Sequence, residues 1–289
     1  MKLKLVTVGN VISMECTRKL NNSMNRMLIL AAFILCVFFT DPVLAWGQQG
    51  HRAVANIAEE QLTTETKYKV QTLLQIEGYA HLNEIANWAD KLRISHSKGY
   101  STGEHPAPQH MARFPNDFST PDTRSICKKF CAIQGELFYL KILKDKQKSN
   151  SEHLLALKWL VHLVGDLHQP FHGSAFPAGA VNVKFSGKVR SLHDFWDVDI
   201  ISETSKNDSE LKKKAMNTKC IFSLSTNPKI WALESRDLVR DKILPGTPQD
   251  QSINELPEDY KEIYSSIAEC RLKTAGFRLA ETLNEALKD

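Results

Sequence analysis

The chain has 289 residues, 42% of them hydrophobic and 24% charged, with 37 Lys/Arg against 33 Asp/Glu. Residues 1–45 carry five of those basic and two of the acidic residues, so residues 46–289 are close to neutral, at 32 against 31. That length suffices for one sizeable core, and that balance excludes a strong global field for polyanions, so any attraction to an anion has to be local.

The first element is an apolar run, residues 27–40, reading MLILAAFILCVFFT behind Arg18, Lys19 and Arg26. It is too short for a comfortable membrane span, and Val43-Leu44-Ala45 places small residues where signal peptidase cuts. Residues 1–45 therefore read as a signal peptide of a secreted or periplasmic protein with no stable membrane association, although Met24 or Met27 would start a more ordinary one. Residues 46–289 read as one domain. Cysteines 16 and 36 leave with the leader, and Cys127, Cys131, Cys220 and Cys270 remain. An even number in an exported chain favours disulfides, and their spacing matches no compact zinc ribbon.

Helical spacing then dominates. Residues 51–62, 64–75 and 83–92 read as helices, the last with Ile85, Trp88, Ala89 and Leu92 on one face. Residues 96–126 contain four prolines and read as a long loop. A helix over 133–146 follows, and then 152–168, EHLLALKWLVHLVGDLH, apolar almost all round and so central, ending at Pro170. Residues 173–192 read as a loop or small hairpin around 180–190, and 193–201 as a further helix. Residues 202–256 hold two weak helices, and 257–287 a long closing one. No repeat, low-complexity tract or linker interrupts the series. The expected fold is all-α, in a single mainly helical domain.

Several polar residues sit where such a fold has to bury them. His162 and Asp166 are four residues apart on the central helix and so share one face. His168 lies about 120° round the axis from His162, and His172 follows Pro170 on a turn that can fold back. The plain alternative is a polar helix end whose histidines meet the C-terminal dipole. A charged residue on a buried helix must nevertheless be paired or metal-bound, which favours metal. His193 and Asp197 repeat the spacing; alone they would read as a surface ion pair. Asp90 and Arg93, three apart, read either as an intrahelical salt bridge or as a metal ligand beside a phosphate-binding cation. A cut after Ala45 would leave Trp46 with a free amine beside its carbonyl, a five-membered chelate, with His51 close behind. His110 lies in the proline-rich loop. His81, His96, His105 and His153 have no partner at useful spacing and read as surface or packing residues. The candidate ligands Trp46, His51, Asp90, His110, His162, Asp166, His172, His193 and Asp197 are nitrogen and oxygen donors rich in imidazole. That set suits zinc above calcium or magnesium and overfills a single site, so about three ions are expected.

Taken in order, W-G-x-x-G-H at 46–51, W-A-D-x-x-R at 88–93, H-x-x-G-D-x-H-Q-P-x-H at 162–172 and H-x-x-W-D at 193–197 resemble the S1/P1 nuclease family, relatives of zinc phospholipase C. The stretch Ala275-Gly-Phe-Arg-Leu-Ala280, with Leu283-Asn284, also resembles that family's last helix. The resemblance implies three zinc ions: one on Asp90, His110, His162 and Asp166, one on the Trp46 amine and carbonyl, His51 and Asp166, and one on His172, His193 and Asp197. It implies attack on phosphorus by water activated between the first two, with Asp90, Arg93 and Asp166 as the catalytic residues. Arg93 would meet the equatorial charge and the third ion the departing 3′ oxygen. Single-stranded DNA or RNA, and 3′-nucleotides, would be cut by a monomer to give 5′-phosphate products, their bases stacking in a pocket. The segment Ala178-Gly-Ala-Val-Asn182 departs from the family's Gly-Gly-Asn, which bears on base preference and groove shape. Two rivals remain: a phospholipase C-like phosphodiesterase and a secreted zinc-binding protein without catalysis, which Arg93 beside Asp90 argues against. Asn207-Asp-Ser209 is a glycosylation sequon.

Overall fold

The structure is a computed structural model that describes residues 7–8, 11–12, 46–95, 105–202 and 207–289, with side chains 7–8, 11–12, 93–95 and 202 outside the description. Two units result. In the first, strands β1 (Thr7–Val8) and β2 (Val11–Ile12) pair antiparallel. The rest of the expected signal peptide, residues 1–6, 9–10 and 13–45, lies outside the described residues. The second unit holds all the helices that follow.

Its centre is α7 (Asn150–His168), preceded by α1 (Gln48–Gln61), α2 (Thr64–Leu74), α3 (Leu82–Ile85), α4 (Trp88–Ser95), α5 (Thr123–Ile126) and α6 (Ala132–Lys144). Ser149 starts α7 with a capping box: its hydroxyl accepts from Glu152 N, and Glu152 reaches back to Ser149 N at 2.9 Å. Every residue from Ala156 to His168 is buried. Leu154, Leu157, Leu160, Leu163 and Leu167 are each at most 1% exposed, and each contributes about 1.5–3 kcal/mol by leaving water. Pro170 opens the short α8 (Pro170–Gly173), where a missing N–H costs nothing.

After α8 come strands β3 (Asn182–Phe185) and β4 (Lys188–Ser191), the expected hairpin, whose turn places Ser186 and Gly187 at positive φ. A third strand, β5 (Asn254–Glu255), pairs in parallel with β3, and no sequence pattern announced it. The helix expected over 193–201 is interrupted. As α9 it comprises Leu192–Asp194, a π-helical stretch Phe195–Asp199, and Ile200–Ser202. The chain continues with α10 (Asp208–Asn217), α11 (Pro228–Leu238, prolonged by π-helical Val239–Ile243) and α12 (Tyr260–Ala286). The expected helix over 83–92 is likewise two, α3 and α4. The fold is thus mainly helical, with one small three-stranded sheet.

Around α7 pack α6, α12, α11, α1 and α4. Two glycines permit close approaches: a Cβ on Gly276 of α12 would stand 2.4 Å from an Ile57 methyl, and one on Gly135 of α6 would stand 2.4 Å from Pro108. The C-terminal end of α7 is tied down by charge. Arg271 donates to the His168 carbonyl at 3.1 Å, Arg278 to His168 Nε2 at 3.0 Å, and both arginines bind Glu234. Both arginines belong to α12, so the Ala275–Ala280 motif carries a close helix contact and a buried cation. Cys127 and Cys131 form a disulfide at the start of α6, as expected. Cys220 and Cys270 are free thiols in this structure, joined by a side-chain hydrogen bond, so the expectation of disulfides throughout is met for one pair only. No described helix is long and apolar enough to cross a membrane.

Candidate metal centre

His162 and Asp166 project from α7 onto one face, as four-residue spacing requires, and both are fully buried. His162 Nδ1 donates to the Ala86 carbonyl at 2.8 Å, in the break between α3 and α4, which leaves the lone pair on Nε2. That atom faces His110 Nδ1 at 2.9 Å. Asp166 Oδ2 stands 3.3 Å from His162 Nε2 and 3.2 Å from His110 Nδ1, and Asp90 Oδ1 lies 3.7 and 3.6 Å from the same two nitrogens. His110, His162 and Asp166 each offer a donor atom within 4.8 Å of the others, and so do His51, Asp90 and His162, with His162 common to both groups. Tetrahedral zinc with bonds of about 2.0–2.1 Å has edges near 3.3 Å, so the spacing fits that ion.

The loop delivers His110 because it is zipped to the turn after α7. Ala112 N donates to His172 O at 2.9 Å, Phe114 N to Gly173 O at 2.8 Å, and Ala175 N to Phe114 O at 2.8 Å. Buried Arg236 of α11 holds the far side of the loop through the carbonyls of Pro115 and Ser119. Trp159 stands edge-on to His110 and stacks on Tyr139, whose hydroxyl donates to the Pro106 carbonyl.

Next to this cluster His51 of α1 stacks on His162, centroids 4.1 Å apart and rings 14° from parallel. Its Nε2 lies 3.6 Å from Asp166 Oδ1, so the two oxygens of Asp166 turn to different partners. Burial first, then the imidazoles of His162, His110 and His172, hold His51 well below the usual histidine range. It is a neutral donor. Trp46 is fully buried and stacked against Gly50, where an added Cβ would stand 2.8 Å from Trp46 Cβ. Gly47 N donates to the Asp197 carbonyl at 2.7 Å, which draws the chain just after Trp46 beside the third group of candidates.

That group is His172, His193 and Asp197, each contributing one donor atom within 4.8 Å of the others. His193 Nε2 lies 3.5 Å from Asp197 Oδ2. The π-helical stretch keeps the pair on one face although the helix is not regular. His172 Nδ1 donates to the His110 carbonyl at 2.9 Å, leaving its Nε2 lone pair, which has no hydrogen-bond partner. Burial pushes the Asp197 carboxyl well above the usual carboxylate range, against a hydrogen bond from Gln169 that pulls it down. Both Asp90 oxygens and Asp197 Oδ2 are buried without a hydrogen bond. Buried carboxyl oxygens set against buried imidazole nitrogens are costly without a cation and favourable around one, so these residues fit metal ions.

The remaining histidines separate as expected from the candidate ligands. His168 is buried with Arg278, held well below the usual range by burial and by Arg271 and Arg278. His81 bonds Glu59, His153 bonds the Asp145 carbonyl, and His105 lies 3.8 Å from Glu152. His96 and the Arg93 side chain lie outside the described residues. Sequence reading did not single out Gln169, which bonds Asp197, or Gly165, against which His51 packs; their only signal was their place inside the central motif.

The domain is mainly helical and buries three groups of His and Asp side chains, each of which could hold a metal ion. The family model for S1/P1 nuclease matches residues 46–288, and the chain belongs to that family. It is 27% identical over 268 residues to Nuclease P1 of Penicillium citrinum, covering 83% of this chain and 97% of that protein. It is 27% identical over 289 residues to Nuclease S1 of Aspergillus oryzae, covering 90% and 98%. Endonuclease 4 of Arabidopsis thaliana is 26% identical over 288 residues, covering 90% and 93%. The chain is accordingly a nuclease, a hydrolase of phosphodiesters.

Proposed function

We propose that this protein is an exported, zinc-dependent endonuclease that cuts single-stranded DNA or RNA to 5′-phosphate products and also acts as a 3′-nucleotidase. The observation that carries the reading is the convergence of His110 Nδ1, His162 Nε2 and Asp166 Oδ2, with Asp90 Oδ1 3.6 and 3.7 Å from the two imidazole nitrogens and with His51 and the His172 group alongside. Asp90, His110, His162 and Asp166 would hold one ion. The Trp46 amine and carbonyl, His51 and the second oxygen of Asp166 would hold another, and His172, His193 and Asp197 a third. Zinc there would supply Lewis-acid polarisation of the phosphate and an activated water near neutral pH.

The chain's own residues do the rest. The carbonyls of Ala86 and His110 fix the tautomers of His162 and His172, so each ring presents a lone pair without rearrangement. The side chains of the centre are buried, which strengthens the charge interactions among them. Arg93, one turn after Asp90 on α4, would meet charge developing on the phosphate oxygens. Separation of residues 1–45 would free the Trp46 amine, so export and completion of the site would be one event.

The test measures zinc per chain in protein whose N-terminus is verified as Trp46, and then turnover on single-stranded DNA, on duplex DNA and on lecithin, with the product ends identified. About three zinc ions, preference for the single strand and 5′-phosphate ends support the reading. One ion or none, or hydrolysis of lecithin in preference to nucleic acid, sinks it.

A further inference from the structure

We infer that Gln169, which no motif argument gave a role, is the positioning residue for the third metal site, the one made by His172, His193 and Asp197. The inference rests on the metal reading above. Gln169 is fully buried at the junction of α7 and α8. Its backbone N–H donates to the Asp166 carbonyl at 3.0 Å, closing α7. Its side chain is committed at both ends. Oε1 accepts from Phe171 N and from His172 N, the latter at 3.2 Å, and Nε2 donates to Asp197 Oδ1.

Two backbone donors on Oε1 settle which end of the amide is oxygen, so Nε2 must face the carboxylate. One planar group therefore joins the turn that carries His172 to the carboxylate of Asp197, 28 residues further on. The consequence for Asp197 is specific. Oδ1 is used by Gln169, while Oδ2 has no hydrogen-bond partner and lies 3.5 Å from His193 Nε2. Without the amide the carboxylate would be free to rotate about χ2, and the oxygen offered to the metal would no longer be selected. His172 would lose a backbone anchor at the same time, although the bond from its Nδ1 to the His110 carbonyl remains. Outer contacts of this kind are worth about 10- to 100-fold in metal affinity.

No other common side chain does both jobs. Glutamate keeps the acceptor for the two N–H groups but sets a second acceptor against Asp197. Methionine keeps the volume and loses every bond.

The experiment compares wild type, Gln169→Glu, Gln169→Met and His193→Ala, each matured to Trp46. Zinc per chain is measured after dialysis against a graded series of chelator concentrations, and circular dichroism confirms that each variant is folded. The wild-type content separately tests the metal reading. Both Gln169 variants should lose one ion per chain at chelator concentrations about 10- to 100-fold below those that strip it from wild type, and keep the others. Gln169→Glu combined with His193→Ala should lose no more zinc than His193→Ala alone, since both changes act on one site. Zinc retention in the Gln169 variants equal to wild type would overturn the inference while leaving the metal reading intact. So would loss of all ions together, or additive loss in the double variant. A wild-type chain that binds no zinc would overturn both.

Discussion

Gly165 shows how one residue can decide a site it never touches chemically. A Cβ there would stand 2.7 Å from His51 Nδ1 and 3.0 Å from His51 Cε1. The absent side chain is the space in which His51 stacks on His162. Gly165→Ala is therefore expected to push His51 out of line, with one zinc and most nuclease activity lost and helix content kept, which metal analysis beside circular dichroism would read. Wild-type zinc content in that variant would show that the ring simply moves aside. Asp166 is the opposite case, a residue whose two oxygens face two groups. Asp166→Asn should cost more activity than His51→Ala, because it disturbs both ions of the proposed pair. Turnover of the two variants on one single-stranded substrate ranks them, and the reverse order removes the bridging role.

At the scale of the element, α6 carries a burial that the metal centre does not use. Glu136 is fully buried on the face of α6 that also holds Ile133 and Tyr139, and neither of its oxygens has a hydrogen-bond partner. Burial pushes its carboxyl up to about 8, with Lys144 pulling slightly the other way. The unfolded chain releases this proton at an ordinary carboxylate value and the folded chain keeps it. Folding stability therefore falls as pH rises from about 4.5 to about 8, and changes little from this group beyond that. Glu136→Gln should remove that slope. The variant should gain roughly 2 to 5 kcal/mol over wild type at pH 8, at about 1.4 kcal/mol per pH unit, and much less at pH 5. Denaturant melts at the two pH values decide it, and an equal difference at both would mean that Glu136 titrates normally. The element scale also explains where sequence reading fell short. The helix over 83–92 breaks because the Ala86 carbonyl turns to His162 instead of continuing the ladder. The π-helical stretch in α9 keeps His193 and Asp197 together although its backbone is not the regular helix that four-residue spacing suggested.

Across the whole molecule, α1, α4, α7, α8, α9 and one loop meet at the candidate metal centre, so bound metal would stabilise the fold and the fold the metal site. Ions that bind only the native chain should raise its melting temperature, and a chelator should lower it, with recovery on adding zinc. A melting temperature indifferent to chelator would mean that the buried carboxylates are compensated in some other way. The start of the domain takes part in the same linkage. Trp46 is buried, and the residue after it bonds Asp197. A chain that keeps a methionine before Trp46 should fold but carry one zinc fewer and lose most activity, because an amide nitrogen is a poor donor where the free amine is a good one. Mass spectrometry fixes each N-terminus before assay. Equal zinc and turnover in the two forms would remove the Trp46 amine from the proposed metal site.

Local spacing was enough to place most of the helices, to pair His162 with Asp166 and His193 with Asp197, and to leave His81, His105 and His153 aside, whereas Trp46 and His110 joined the candidates through the junction at Ala45 and the family resemblance. These are properties of periodicity and of the cost of burying charge, and both are written in neighbouring residues. Only the tertiary structure could bring His110 to Asp90 and His162, because its loop is aimed by backbone bonds to the turn at 172–175 and by Arg236, more than a hundred residues away. The parallel strand β5 and the tie from Arg278 to His168 were illegible for the same reason. So were the two roles of Gln169, on the turn at His172 and on the carboxylate of Asp197. Each depends on a partner that no local pattern encodes. Which donor atoms face one another is settled when α7 is buried among its neighbours and every polar group on it must find a partner.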